Sequence, residues 1–274
     1  VLRLTDDAKL FQLNPGGILS LAVVTLLSLG WLTWKQSEVW RDTRTLWQHA
    51  IAVTPSSSMA YYNLGKTFET EARTDQAINL YRSAVTLNPS YANAHHSLAD
   101  MFLRKGLLED ALAHYSKAIE LRPDDAETHN NLGVLLEMRG DLTGARNEFQ
   151  KAAALDPNFA RVFFNLGRLF AQEGDLTQAA IHYRKAAQLD PKEAVILVSL
   201  AEVLARRGEL KPAGDYLVAA IALKPELAAA HELLARLLTA QGNPAEARKH
   251  HDEASRLLKA QGDNADTQGA APRS

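Results

Sequence analysis

Nine histidines and 32 acidic side chains are the groups in this 274-residue chain with the chemistry to hold a metal or move a proton. A helical zinc pair places two histidines at i and i+4, on one face. Here His95 and His96 are adjacent, as are His250 and His251. The separations of His95, His129 and His231, and those of His114, His182 and His250, are multiples of 34 residues. A repeat has distributed these side chains; they are not gathered into a cluster. The acidic pair Asp6 and Asp7 reads as solvated surface. No HExxH, glycine-rich phosphate loop or nucleophile motif occurs. The chain has no cysteine, which excludes disulfides, thiol catalysis and cysteine metal sites. A net charge of −2 gives no basis for nucleic-acid binding. The expectation is therefore no catalytic residue, no metal and no cofactor in this chain.

The elements behind that spacing are set by a ladder of prolines, Pro55, Pro89, Pro123, Pro157, Pro191 and Pro225, each 34 residues from the last. Before Pro89 stand Tyr61, Leu64, Gly65, Phe68, Ala77, Tyr81 and Ala84, and before Pro191 stand Phe163, Leu166, Gly167, Phe170, Ala179, Tyr183 and Ala186 at the same offsets. Apolar residues three and four apart put one stripe on a first helix and another on a second, so each unit is a helical hairpin. Gly65, Gly133 and Gly167, with Ala99, Ala201 and Ala235 at the same place, let the two helices approach closely. Between the helices, Gly106, Gly140, Gly174, Gly208 and Gly242 predict left-handed helix ends. Ala72 takes that position in the first repeat, which predicts a strained turn there.

This pattern is identified as the tetratricopeptide repeat (TPR). The resemblance implies an all-α solenoid, a right-handed superhelix of stacked hairpins, with repeats at 58–91, 92–125, 126–159, 160–193, 194–227 and 228–261. Lys259 replaces the last proline. Residues 36–57 form a half repeat, with Trp47 and Ala50 at second-helix positions. Residues 262–274 read as a disordered polar tail.

Upstream, residues 10–34 carry no charge, and 18–34 read as an apolar helix ending in Trp31 and Trp34. A helix from 15 to 35 would be about 30 Å long, the thickness of a bilayer core. One transmembrane helix is expected there, with residues 1–14 as an upstream loop; a buried soluble helix is the alternative. The opening valine and the lack of a cleavable signal suggest the C-terminal part of a longer protein. Lysine and arginine counts on the two sides differ by one and lean toward a cytoplasmic C-terminal side. The run Leu32, Thr33, Trp34, then Val39 to Asp42, then Thr45 to Trp47 and a proline before the repeats, resembles the end of GT-C-type membrane glycosyltransferases. In particular it is similar to protein O-mannosyltransferase-like enzymes with C-terminal TPRs. That resemblance implies an extracytoplasmic repeat domain whose catalytic residues lie upstream, outside this sequence.

Binding is the function the repeats predict, in a groove lined by first helices. The candidate groove residues are Tyr62, Asn63, Lys66, Ser97, Asp100, Asn130, Asn131, Phe164, Asn165, Arg168, Val198, Ser199 and Glu202, with Val134 and Arg236 alongside. Asn63, Ser97, Asn131, Asn165 and Ser199 recur at the 34-residue spacing. An asparagine amide can donate to and accept from a peptide backbone together. Such a column resembles the asparagine ladder of O-GlcNAc transferase TPRs, and implies an extended polypeptide held without sequence reading; alternatively these side chains tie neighbouring helices together. Arg161 with Asn165 matches only part of a chaperone-type carboxylate clamp. The expected partners are proteins or extended polypeptides and, through 18–34, a lipid bilayer; a homo-oligomer is also open. The sequence thus points to a membrane-anchored TPR binding module, the non-catalytic end of a membrane glycosyltransferase. The alternative is a stand-alone single-pass scaffold of an envelope complex.

Overall fold

The computed structural model describes residues 23–31, 34 and 42–269, with side chains to 261. Residues 23–31 are helical and exposed. Among the described residues no helix is long and apolar enough to cross a membrane; most of the expected span at 15–35 lies outside them. Thirteen helices follow: α1 (Thr43–Val53), α2 (Ser58–Thr70), α3 (Thr74–Leu87), α4 (Ala92–Arg104), α5 (Leu108–Leu121), α6 (Ala126–Met138), α7 (Leu142–Leu155), α8 (Ala160–Glu173), α9 (Leu176–Leu189), α10 (Ala194–Arg206), α11 (Leu210–Leu223), α12 (Ala228–Ala240) and α13 (Pro244–Gly269). No strand occurs among the described residues. The chain divides into two compact units, 1–101 and 102–274, with the boundary inside α4.

Each ladder proline stands two residues past the end of a second helix, where its missing N–H interrupts nothing. The turns inside the hairpins share one device. Gly140 (φ 82°) lets the Asp141 N–H reach back to the Leu136 carbonyl at 2.9 Å, and Gly174 (φ 85°) does the same for Asp175 and Phe170. In the first repeat the backbone makes the same bond, Arg73 to Phe68 at 2.9 Å, with Ala72 held at φ 57°. A Cβ in this left-handed region costs about 1–2 kcal/mol. Ala72→Gly is therefore expected to raise stability by roughly 0.5–1 kcal/mol, after the extra freedom glycine gives the unfolded chain; urea unfolding checks it, and a loss of stability would show the turn is relaxed.

In the first unit α2 and α3 close around Tyr81, whose ring lies on the backbone of Gly65: a Cβ there would stand 2.7 Å from Tyr81 Cε1. The half repeat is visible in side-chain detail. Arg44 of α1 stacks its guanidinium 5.4 Å from the Phe68 ring and pairs with Glu71. Three periods later Arg146 stacks 5.2 Å from Phe170 and pairs with Glu173. Trp47 and Ala50 remain half-exposed on α1, whereas Tyr81 and Ala84, one period on, are fully buried. Among the described residues the packing is that of a second helix set against the next first helix, α2.

In the second unit α6/α7, α8/α9, α10/α11 and α12/α13 are hairpins, and α10 also touches α8 and α12, so first helices lie side by side. Their cores are alanines, leucines and single rings: Phe149 against Gly133, Tyr183 against Gly167, Leu217 below Ala201, all at most 4% exposed for the larger partner. The last helix, α13, runs on through Gly269. Residues 257–269 contain no proline, and Leu, Lys, Ala and Gln continue the helix outward from the last hairpin.

Candidate groove of the repeat array

The histidines are explained first, since they are the residues with the most chemistry to offer. A first-helix side chain and the side chain 19 residues later meet inside one hairpin. His129 Nδ1 faces Glu148 Oε2 at 2.6 Å, His231 Nδ1 faces His250 Nδ1 at 3.0 Å, and the Phe163 ring lies 6.3 Å from His182. His95, His129 and His231 each donate Nε2–H to a ladder-proline carbonyl, Pro89, Pro123 and Pro225, at 3.0 Å. They fasten the start of a first helix to the end of the preceding repeat. Among the described residues no group of three or more His, Cys, Asp or Glu side chains converges as a metal site would.

Burial lowers the affinity of His182 for a proton below its ordinary value of 6.5, its ring being stacked on Phe170 at 5.3 Å and 2°. His250 is lowered too, by burial first and then by His231. For both, the unfolded chain binds a proton more readily than the folded one. The folded state is thus favoured above pH 6.5 and loses that advantage as pH falls through the unfolded value. The urea midpoint is expected to drop between about pH 7 and pH 5, and His182→Phe to flatten part of that limb. A midpoint independent of pH over this range would contradict the burial argument.

The expected groove residues can now be placed, unit by unit. In the first, the Tyr62 ring packs 5.7 Å from Tyr81 and 5.0 Å from Tyr91. Asn63 Nδ2 turns back to the Met59 carbonyl of its own helix at 3.0 Å, and Lys66 is exposed. Ser97 is buried, and Asp100 receives His96 Nε2 at 3.3 Å. In the second, Asn130 and Asn165 are 1% and 5% exposed, and Asn165 Nδ2 donates to Asn130 Oδ1 at 2.8 Å while Asn130 Nδ2 donates to Asn131 Oδ1 at 3.0 Å. One of these three amides, Asn165, therefore spends a donor tying α8 to α6, while that of Asn130 goes to its neighbour on α6. Arg168 forms a two-pronged bond to Glu137, 2.7 Å on each arm. Phe164 is half-buried, its ring 5.6 Å from Tyr183. Burial pushes the Tyr183 hydroxyl up to about 12, with Arg168 and Ser199 pulling the other way. Val198 and Ser199 are half-buried and Glu202 is exposed on α10.

What these side chains surround is a cleft of about 400 Å³ between α8 and α10, lined by Ala160, Arg161, Phe164, Asn165, Asp190, Glu193, Val195 and Ile196. Phe164 and Asn165 are the only candidates from the sequence that reach it. Arg161 lies four residues before Asn165, on the same helix face, which is the signal that marks it as groove-lining. Val195 and Ile196 precede Ser199 by four and three residues, again on the face already inferred. Asp190 and Glu193, in the connection before α10, carried no such mark.

Comparison with known proteins returns TPR folds. The model of the cilia and flagella-associated protein 70 C-terminal domain matches residues 33–271. The chain belongs to this family. Among solved structures, pilF of Pseudomonas aeruginosa is 26% identical with a TM-score of 0.67, over 76% of this chain and 97% of that one. PilW, described as a widely conserved type IV pilus biogenesis factor, is 21% identical with a TM-score of 0.65, over 73% and 98%. YrrB, described as a TPR protein with an unusual peptide-binding site, is 22% identical with a TM-score of 0.54, over 67% and 95%. No curated protein matches the chain. The repeats are TPRs, and the chain is an all-α solenoid of the protein-interaction type.

Proposed function

We propose that this TPR domain is a non-catalytic receptor for an extended polypeptide, bound along the first helices of the second unit. The observation that carries the reading is the cleft between α8 and α10, apolar at Phe164, Val195 and Ile196 and edged by the Asn165 amide. A peptide laid across it buries one side chain against Phe164 and offers its backbone to the amide.

The proposal extends to the setting. The uncharged stretch 18–34 anchors the domain in a membrane, with the repeats on the extracytoplasmic side, and the domain serves a membrane glycosyltransferase by recruiting polypeptide acceptors. A second reading, a scaffold in the assembly of an envelope complex, is supported by the likeness to pilF and to the pilus biogenesis factor PilW. Peptide-array capture on the full chain, with Phe164→Ala beside the wild type, tests the receptor. Many captured peptides, lost in the variant, support it; peptides captured equally by both would place binding on another face. Alkaline carbonate extraction of membranes tests the anchor: release of the full chain would remove it.

A further inference from the structure

The cleft between α8 and α10 does not end at Arg161. On the other side of that residue a second hollow of about 570 Å³ runs to the start of α6, lined by Arg122, Asp124, Asp125, Ala126, Glu127, Asp156, Phe159 and Arg161. Together the two hollows carry six carboxylates and two guanidinium groups. Part of this charge is spent locally: Arg122 pairs with Asp125 at 2.5 Å and Glu193 with Lys224 at 3.6 Å. Asp124, Glu127, Asp156 and Asp190 make no ion pair among the described residues, although Asp156 and Asp190 each accept a backbone N–H in their own turn, from Asn158 and Lys192, and Arg161 is the one other guanidinium of the lining. The chain as a whole is nearly neutral at −2, so this strip is more acidic than the chain average.

We infer that the groove of the second unit selects segments in which a large apolar residue is flanked by lysine or arginine. The inference rests on the receptor reading above and names the chemistry of its ligand. The apolar residue enters against Phe164 and Ile196, with Val195, 44% exposed, closing over it from the rim. Beside it Asn165, only 5% exposed, has given its Nδ2 to Asn130. Its Oδ1 accepts no hydrogen bond among the described residues and stands at the cleft as a fixed acceptor for a ligand backbone N–H. On either side of that anchor point the unspent carboxylates meet the ligand's cations. A segment with acidic flanks meets four like charges and finds one arginine.

The experiment uses fluorescence anisotropy on the full chain with three labelled peptides that share a central Phe in an extended Ser and Thr background, with lysine, serine or glutamate flanks. At low salt the lysine peptide is expected to bind about tenfold tighter than the glutamate peptide, and the margin to shrink at high salt as exposed charges are screened. Glu127→Lys/Asp190→Lys is expected to abolish the lysine preference while leaving the serine peptide's affinity within about twofold, and Val195→Asn to weaken all three peptides. Both variants change exposed positions, and circular dichroism verifies their folding. Equal affinities for lysine and glutamate flanks, or a preference that survives the double charge reversal, would overturn the inference alone. Absence of binding by all three peptides would overturn the receptor reading beneath it.

Discussion

Phe149→Ala should lower the unfolding free energy by about 3–5 kcal/mol, the range for emptying a buried aromatic site. The ring is 0% exposed and packs with Ala145, Ala152, Val162, Leu166 and Leu169, which join α7 to α8. It also fills the space over Gly133, where a Cβ would come within 2.6 Å of Phe149 Cε1. The two positions are therefore coupled. Gly133→Ala in the wild type meets the ring and costs about 1–3 kcal/mol of overpacking, against up to about 1 kcal/mol of helix propensity. In the Phe149→Ala background the clash is gone, and the same substitution should stabilise. In the next repeat but one the two equivalent positions are Ala201 and Leu217, both fully buried in one core, so the fold accepts an alanine where the partner position holds no ring. Urea unfolding of the four chains closes the cycle. Additive effects would show that the ring does not rest on the glycine.

Asn165→Ala should cost about 1–3 kcal/mol, because it strands the Oδ1 of Asn130, a residue 1% exposed, without a donor. Asn130→Ala/Asn165→Ala should cost less than the two single changes summed, since the stranded acceptor leaves with its partner. A freely solvated asparagine column would give near-neutral single variants, and that outcome would contradict the tie between α6 and α8. The distinction bears on function. A loss of peptide binding in an Asn165 variant is informative only when measured under conditions where the helices still hold.

Most of the architecture was legible in the chain because the constraint repeats. A proline after six of the seven second helices, a glycine in five of the six turns and a small residue at each crossing recur at one spacing, so a single misread position does not displace the rest. Ala72 shows how far this reaches: its departure from the glycine pattern predicted the one non-glycine residue with positive φ among those described. The half repeat was legible for the same reason, and Arg44 on Phe68 repeats Arg146 on Phe170. The groove was less legible. Periodicity names the helix face a side chain occupies but not the neighbour it can reach. Asn165 was placed on the right face, yet its partner is Asn130, one residue away from the repeating column, because α6 and α8 pack close enough for the two amides to touch. Arg168 was named only by its helix face, and the carboxylate that engages it comes from Glu137, a position the pattern did not mark. The acidic rim arises from connections between repeats, at Asp156 and Asp190, whose role in turns concealed their common side of the groove.

The measurement that bears most directly on the central claim is hydrogen exchange of the full chain, followed by mass spectrometry, with and without a bound extended peptide. A ligand laid on the first helices slows exchange at the start of α8 and α10 and in the connections holding Asp156 and Asp190, and leaves the outer second helices α9 and α11 unchanged. Protection confined to α9 and α11, with α8 and α10 exchanging as in the free chain, would contradict the account and move the binding face to the opposite side of the solenoid.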